Sequence, residues 1–135
     1  MEKVYTKPVL DKLGVRPGMR IAIVGAVDPD GSFRAQLADR TSDVTVGRPK
    51  ADTDLVFLAA DSHAELVDLP ALRERIRSAG AIWVVSRKGR AATLRDIEVM
   101  AAARDAGLID NKVVAFSPTH TSIRLVIPLA LRPRG

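Results

Sequence analysis

Three short, unbroken apolar runs, at residues 21–24, 55–60 and 81–85, constrain this chain more than any other feature. A strand with one wet face alternates apolar and polar residues, whereas a strand covered on both faces reads as a continuous greasy segment. Runs this brief suit strands rather than helices and fall far below the roughly 18 residues of a membrane span. Amphipathic segments lie between them. Buried strands alternating with helices predict an α/β fold: a three-layer α/β sandwich with a mostly parallel, Rossmann-like sheet and helices on both faces.

The punctuation around these runs sets the remaining elements. Pro17-Gly18 makes a turn that opens the first strand, and Gly25 ends it. Ser32 is expected to cap a helix over 33–39, with Phe33 and Leu37 on its inner face. Residues 44–46 read as a brief second strand. The helix-free stretch 47–54 must then run the length of the sheet, which eight extended residues manage at roughly 27 Å. Ser62 with Glu65 has capping-box spacing for a helix that Pro70 kinks or restarts and Gly80 ends in a left-handed conformation, burying Leu66, Leu69, Leu72 and Ile76. Thr93 with Asp96 repeats that spacing before a stripe of Leu94, Ile97, Met100, Ala101 and Leu108, which Gly107 closes. Residues 112–116 and 122–127, five residues apart, predict a C-terminal antiparallel hairpin with the second strand at an edge before Pro128.

No repeat, low-complexity tract or linker divides the 135 residues, so a single domain over 1–135 is expected, burying roughly two-thirds of its unfolded surface. The absence of cysteine excludes disulfides, thiolate nucleophiles and cysteine-held zinc or iron–sulfur clusters, and two histidines cannot form an all-histidine cage. Residues 1–7 lack a signal-peptide hydrophobic region, which leaves a soluble cytoplasmic protein as the expectation.

The net charge is +5, distributed unevenly: residues 1–70 hold nine basic and eleven acidic side chains, residues 71–135 twelve and five. A basic half suits phosphate or nucleic acid. Nucleic acid is the weaker fit, because the few aromatic residues lie mostly inside apolar runs and offer no platform for stacking bases.

In an open α/β sheet, ligands bind beyond the carboxyl ends of the strands. Three loops lie there. In Gly25-Ala26-Val27-Asp28-Pro29-Asp30-Gly31, Val27 and Asp30 stand where a dinucleotide fingerprint needs glycine, and Ser32 stands where a P-loop needs lysine. Its carboxylates would repel a phosphate, so turn formation explains it better. Asp61-Ser62-His63 caps a helix, and His63 lacks a visible orienting partner for proton transfer. Ser86-Arg87-Lys88-Gly89-Arg90 places cations where an anion would meet a strand end, which singles out Arg87 and Lys88. His120 near Ser117 and Ser122 does not make a Ser-His-Asp site, since no nucleophile elbow accompanies it.

Asp54-Leu55-Val56-Phe57-Leu58, followed by residues 72–85 ending Ala81-Ile82-Trp83-Val84-Val85, resembles the fourth and fifth strand region of class I S-adenosylmethionine-dependent methyltransferases. That family has an acidic residue before a Gly-x-Gly-x-Gly loop at its first strand, where this chain has Ile23-Val24-Gly25-Ala26-Val27. The stretch before Asp54 is also short for the strand that carries the family's ribose-binding acid and its successor. A closer resemblance spans nearly the whole chain, to a bacterial family of short proteins, domain of unknown function 3052. It rests on Leu13-Gly14-Val15-x-Pro17-Gly18-Met19-Arg20, Leu69-Pro70-x-Leu72, Ile82-Trp83-Val84, Gly107-Leu108-Ile109-Asp110-Asn111-Lys112-Val113 and Ser122-x-Arg124. This resemblance implies a methyltransferase-like architecture without an assigned activity, and it adds Asn111 to the candidates. Where that family usually has Trp-Pro-Lys-Lys, this chain keeps mainly the charge, in Arg87 and Lys88.

The combined expectation is a non-catalytic or degenerate methyltransferase-like domain, with no cofactor or metal, that binds a small anionic ligand or a protein partner through Arg87, Lys88 and Asn111. A minimal methyltransferase with a non-standard cofactor loop and a weak nucleic-acid binder are the alternatives. A homodimer through the hairpin edge or the apolar segment 125–131 is a further expectation.

Overall fold

The computed structural model describes residues 8–27 and 31–132; Asp28, Pro29 and Asp30, expected to form a turn, lie outside the described residues. One mixed sheet organises the chain. Its strands are β1 (Ile21–Val24), β2 (Val44–Val46), β3 (Thr53–Ala59), β4 (Ile76–Arg87), β5 (Ile109–Ala115) and β6 (His120–Val126), in the spatial order β2-β1-β3-β4-β6-β5. The first four are parallel, and β6 runs antiparallel between β4 and β5.

The apolar runs lie at the centre because they are covered on both faces. Along β3 and β4, Val56, Leu58, Ile82 and Val84 join one apolar cluster, while Leu55, Phe57, Ala81, Trp83 and Val85 join another. Helices α3 (His63–Leu66), α4 (Leu69–Arg73) and α5 (Asp96–Asp105) supply the first cluster, and α1 (Val9–Lys12) and α2 (Ser32–Ala38) supply the second. Phe33 packs edge-on against Phe57 at 4.9 Å and touches Phe116 at 4.8 Å, which ties α2 to the sheet. No helix among the described residues is long and apolar enough to cross a membrane.

The brief second strand and its helix-free crossover match expectation. The helix expected to reach Gly80 does not. It restarts at Pro70 as expected, dividing into α3 and α4 around Val67 and Asp68, but the chain is already extended at Ile76, where β4 begins. Thr53 donates its backbone N–H to Arg75 O, so pairing with β3 replaces the helix before Gly80. Gly80 lies inside a strand irregularity and has no positive φ. A Cβ there would stand 2.8 Å from the Asp54 carbonyl, so glycine serves close backbone approach rather than a helix stop.

Other differences are local. Gly31, with φ +79°, precedes α2, and Ser32 is already its first residue rather than its cap. Glu98, not Asp96, closes a capping box at the start of α5 by accepting the Arg95 N–H at 2.7 Å. The inner face of α5 presents Val99 and Ala103 while Ile97 is exposed; with alanines all around the helix, the sequence does not fix its rotation. The hairpin forms as expected, but β6 is interior and β5 is the edge.

Candidate functional site

The strand register determines what meets at the carboxyl ends. Ala59 pairs with Val85 and Arg87 with His120, so two residues past Ala59 the chain brings Asp61 beside Arg87. The Arg87 backbone N–H donates to Asp61 Oδ1 at 2.9 Å, and its guanidinium Nε lies 3.3 Å from Oδ2. Thr93 donates its hydroxyl to the Asp61 carbonyl at 2.6 Å, and Glu65 accepts the Asp61 N–H at 2.9 Å. The expected Ser62 cap takes a different form: the Ser62 hydroxyl donates to the same Glu65 oxygen at 3.1 Å. Asp61 is therefore the point on which β3, β4 and the segment entering α5 converge.

Arg87 is thus not a bare cation, because its charge is paired with Asp61. Lys88 donates its backbone N–H to Thr119 O at 3.0 Å, and its ammonium has no ion-pair partner among the described residues. Next to this row lies a cleft of about 630 Å³ lined by Val27, Phe33, Phe116, Thr119 and His120 among others. His120 Nδ1 is 2.8 Å from Thr119 Oγ1, and Ser117 Oγ accepts the backbone N–H groups of Thr119 and His120. Ser122 is fully buried and donates to the Val114 carbonyl. Both serines therefore have structural roles, and the hairpin lacks the geometry of a hydrolytic triad.

His63 does have a partner, which the sequence did not disclose. Its Nε2 lies 2.9 Å from Glu98 Oε1, linking the start of α3 to α5. The Arg95 backbone N–H, followed by His63, holds the Glu98 carboxyl below its ordinary value. Asn111 stands apart from Arg87 and Lys88. It is the exposed extra residue of the β5 bulge, beside Lys112, which pairs with Arg124 opposite Trp83. Trp83 precedes Arg87 by four residues, so the separation along the strand is about 13 Å. Arg87 and Lys88 lie together at the carboxyl end of β4, and Asn111 lies on a different part of the sheet.

The Asp61 junction was missed from sequence, although a signal existed. When the apolar runs 55–60 and 81–85 are aligned as parallel neighbours, Asp61 and Arg87 fall just beyond their ends.

The residues at the end of β1 do not fit the glycine cradle of a methyl-donor nucleotide. Gly25 has φ +84°, and a Cβ there would stand 3.2 Å from Ala59 Cβ, so this glycine answers to sheet packing. Val27 is buried and places a side chain where close cofactor approach requires none. At the end of β2, Val46 is exposed and is followed by Gly47 and Arg48, with no carboxylate to receive a ribose diol.

Comparison with known proteins defines the architecture. The family model described as "Protein of unknown function (DUF3052)" matches residues 10–129. No curated protein sequence matches the chain. Among solved structures, a SAM-dependent methyltransferase from Aquifex aeolicus is similar with a TM-score of 0.68 at 16% identity, over 88% of this chain and 87% of that one. Magnesium protoporphyrin IX methyltransferase from Synechocystis PCC 6803 has a TM-score of 0.62 at 13% identity, over 87% and 74%. The mitomycin 7-O-methyltransferase MmcR has a TM-score of 0.63 at 11% identity, over 82% of this chain but 49% of its own. At these identities the likeness concerns fold alone: a methyltransferase-like α/β fold with a six-stranded mixed sheet.

Proposed function

Because the chain belongs to the DUF3052 family of proteins of unknown function, we propose from its geometry that it is a non-catalytic, methyltransferase-like binding domain that takes a small anionic ligand at the carboxyl ends of its strands. The fold serves as a three-layer scaffold, and the ligand sits in the cleft beside Arg87 and Lys88. The observation that carries this reading is the pairing of Arg87 with His120 and of Lys88 N–H with Thr119 O, which puts both basic residues next to a cleft-lining turn. Lys88 supplies a charge that no carboxylate among the described residues pairs, and Arg87 offers the guanidinium nitrogens it does not direct at Asp61. Val27 supports binding without methyl transfer, because it fills the place where a cofactor would need bare backbone.

A ligand that binds only the native state stabilises it by about 2.7 kcal/mol at a hundredfold excess over Kd. Thermal unfolding of the full chain with inorganic phosphate, nucleotides and small carboxylates should show a rise of several degrees for at least one anion, reduced in Lys88→Ala and abolished in the Arg87→Ala, Lys88→Ala pair. Equal shifts in wild type and the double variant would refute the site.

One observation favours a minimal methyltransferase instead, namely that the sheet matches enzymes of that class over nearly its full extent. Calorimetric titration with S-adenosylmethionine separates the two readings. Micromolar binding competed by the demethylated product would support the enzyme, and no heat at millimolar protein would reject it.

A further inference from the structure

Away from the carboxyl-end cleft, the β5–β6 ladder gathers positive charge, and its one acidic residue, Asp110, pairs across the sheet with Leu125 and forms no ion pair among the described residues. Lys112 of β5 and Arg124 of β6 are directly paired across the sheet, an arrangement that is destabilising for like charges. Arg132, just past the turn Leu129–Leu131, donates its Nε to the Ile127 carbonyl at 2.9 Å. None of the three has an ion-pair partner among the described residues, although other arginines of the chain pair with Asp11, Asp43, Asp54 and Asp61.

The surroundings fix this charge in place. Lys112 Nζ donates to the Lys12 carbonyl at 3.0 Å, which holds the ammonium on the α1 face. Arg124 is partly buried beside wholly buried Trp83, and its Nη1 is 3.5 Å from Asn111 Oδ1. Burial, and then the Arg132 charge, lower the Arg124 guanidinium from its ordinary value. A half-buried cation flanked by two others and met, among the described residues, by neutral oxygens favours occupation by an anion.

We propose that Lys112, Arg124, Arg132 and Asn111 form a second anion site, selective for a phosphate or diphosphate group. Guanidinium forks and an ammonium suit phosphoryl oxygens, and three unit charges match a multiply charged group better than a single carboxylate. The Asn111 amide can donate through Nδ2 while its oxygen faces Arg124. Asn111, which the family resemblance brought forward, finds its role here rather than beside Arg87.

The test is a titration of the full-length chain with inorganic phosphate, pyrophosphate and acetate at constant ionic strength, followed by amide chemical shifts. Saturable shifts at Asn111, Lys112 and Arg124 with pyrophosphate are expected, with affinity at least about tenfold weaker in Arg124→Gln, as loss of one charge-assisted bond implies. Arg132→Gln, which leaves the ladder intact, should weaken binding comparably and keeps the test sound if Arg124→Gln folds poorly. Lys88→Ala should leave the saturable shifts at Asn111, Lys112 and Arg124 unchanged whatever it does to shifts near Thr119, which separates this site from the carboxyl-end cleft. Non-saturating shifts, acetate binding as tightly as pyrophosphate, or full affinity in Arg132→Gln would each overturn the proposal.

Discussion

Arg87 and Arg124 occupy neighbouring strands and are both beyond the reach of a fully buried environment, yet their surroundings differ. At the carboxyl end, Arg87 meets Asp61, and Asp61 is itself held by Thr93 and Glu65. In the edge ladder, Arg124 meets Lys112, Arg132 and the oxygen of Asn111. The first guanidinium reinforces a loop junction, and the second leaves charge available to a ligand. What separates the two guanidiniums is thus a carboxylate within reach of Arg87 and none, among the described residues, within reach of Arg124.

The largest expected effect tests whether the two regions share one scaffold. Trp83 is fully buried, is paired with Arg124, and donates its indole N–H to the Leu13 carbonyl at 3.1 Å. Trp83→Ala should cost about 3–5 kcal/mol, lowering Tm by about 10–15 °C. Trp83→Phe retains most of the packing but orphans the Leu13 carbonyl, at about 1–3 kcal/mol. Denaturant unfolding of both variants measures this. A loss below about 1 kcal/mol for Trp83→Ala would mean that β4 does not join the two regions energetically.

A smaller effect sharpens the contrast directly. Asp61→Ala removes the carboxylate that compensates Arg87 and should destabilise by about 1 kcal/mol, since the pair is solvent-accessible. It should also make the carboxyl end resemble the ladder, with phosphate binding near Thr119 and His120 tightening severalfold in the same chemical-shift titration. Unchanged or weaker binding there would show that compensation by Asp61 is not what limits Arg87.

Much of this architecture is legible in the sequence because it follows from single segments. The runs at 21–24 and 55–60 could be buried only as central strands, and the five-residue connection before Ser122 could close only as a hairpin. The errors arise where a second segment decides. Ile76 ends a helical stripe that would carry the helix to Gly80, but β3 offers hydrogen bonds that extend β4 backwards to Ile76. The site divides in the same way. Placement after a buried strand was enough to select Arg87 and Lys88, whereas the Asp61 contact depends on register across 26 residues. The position of Asn111 beside Arg124 depends on a bulge that no local pattern announces.

The smallest expected effect concerns pH and distinguishes the two regions by acid sensitivity. Glu98 caps α5 through the Arg95 N–H and binds His63, and these contacts hold its carboxyl below the ordinary value of 4.5. A depressed carboxyl contributes stability that is fully present above its unfolded value and disappears as pH falls through its folded value. The stability difference between wild type and Glu98→Gln should therefore be largest near neutral pH and shrink below about pH 4.5, as urea unfolding at several pH values would measure. Thr93, which holds the Asp61 carbonyl, lies just before the first turn of α5, so hydrogen exchange near Asp61 should accelerate in Glu98→Gln. The β5–β6 ladder, which has no carboxylate among its ionic contacts in the described residues, should exchange as in wild type. Equal acceleration in the ladder would mean that the two regions open as one unit, and their contrast would then concern charge alone.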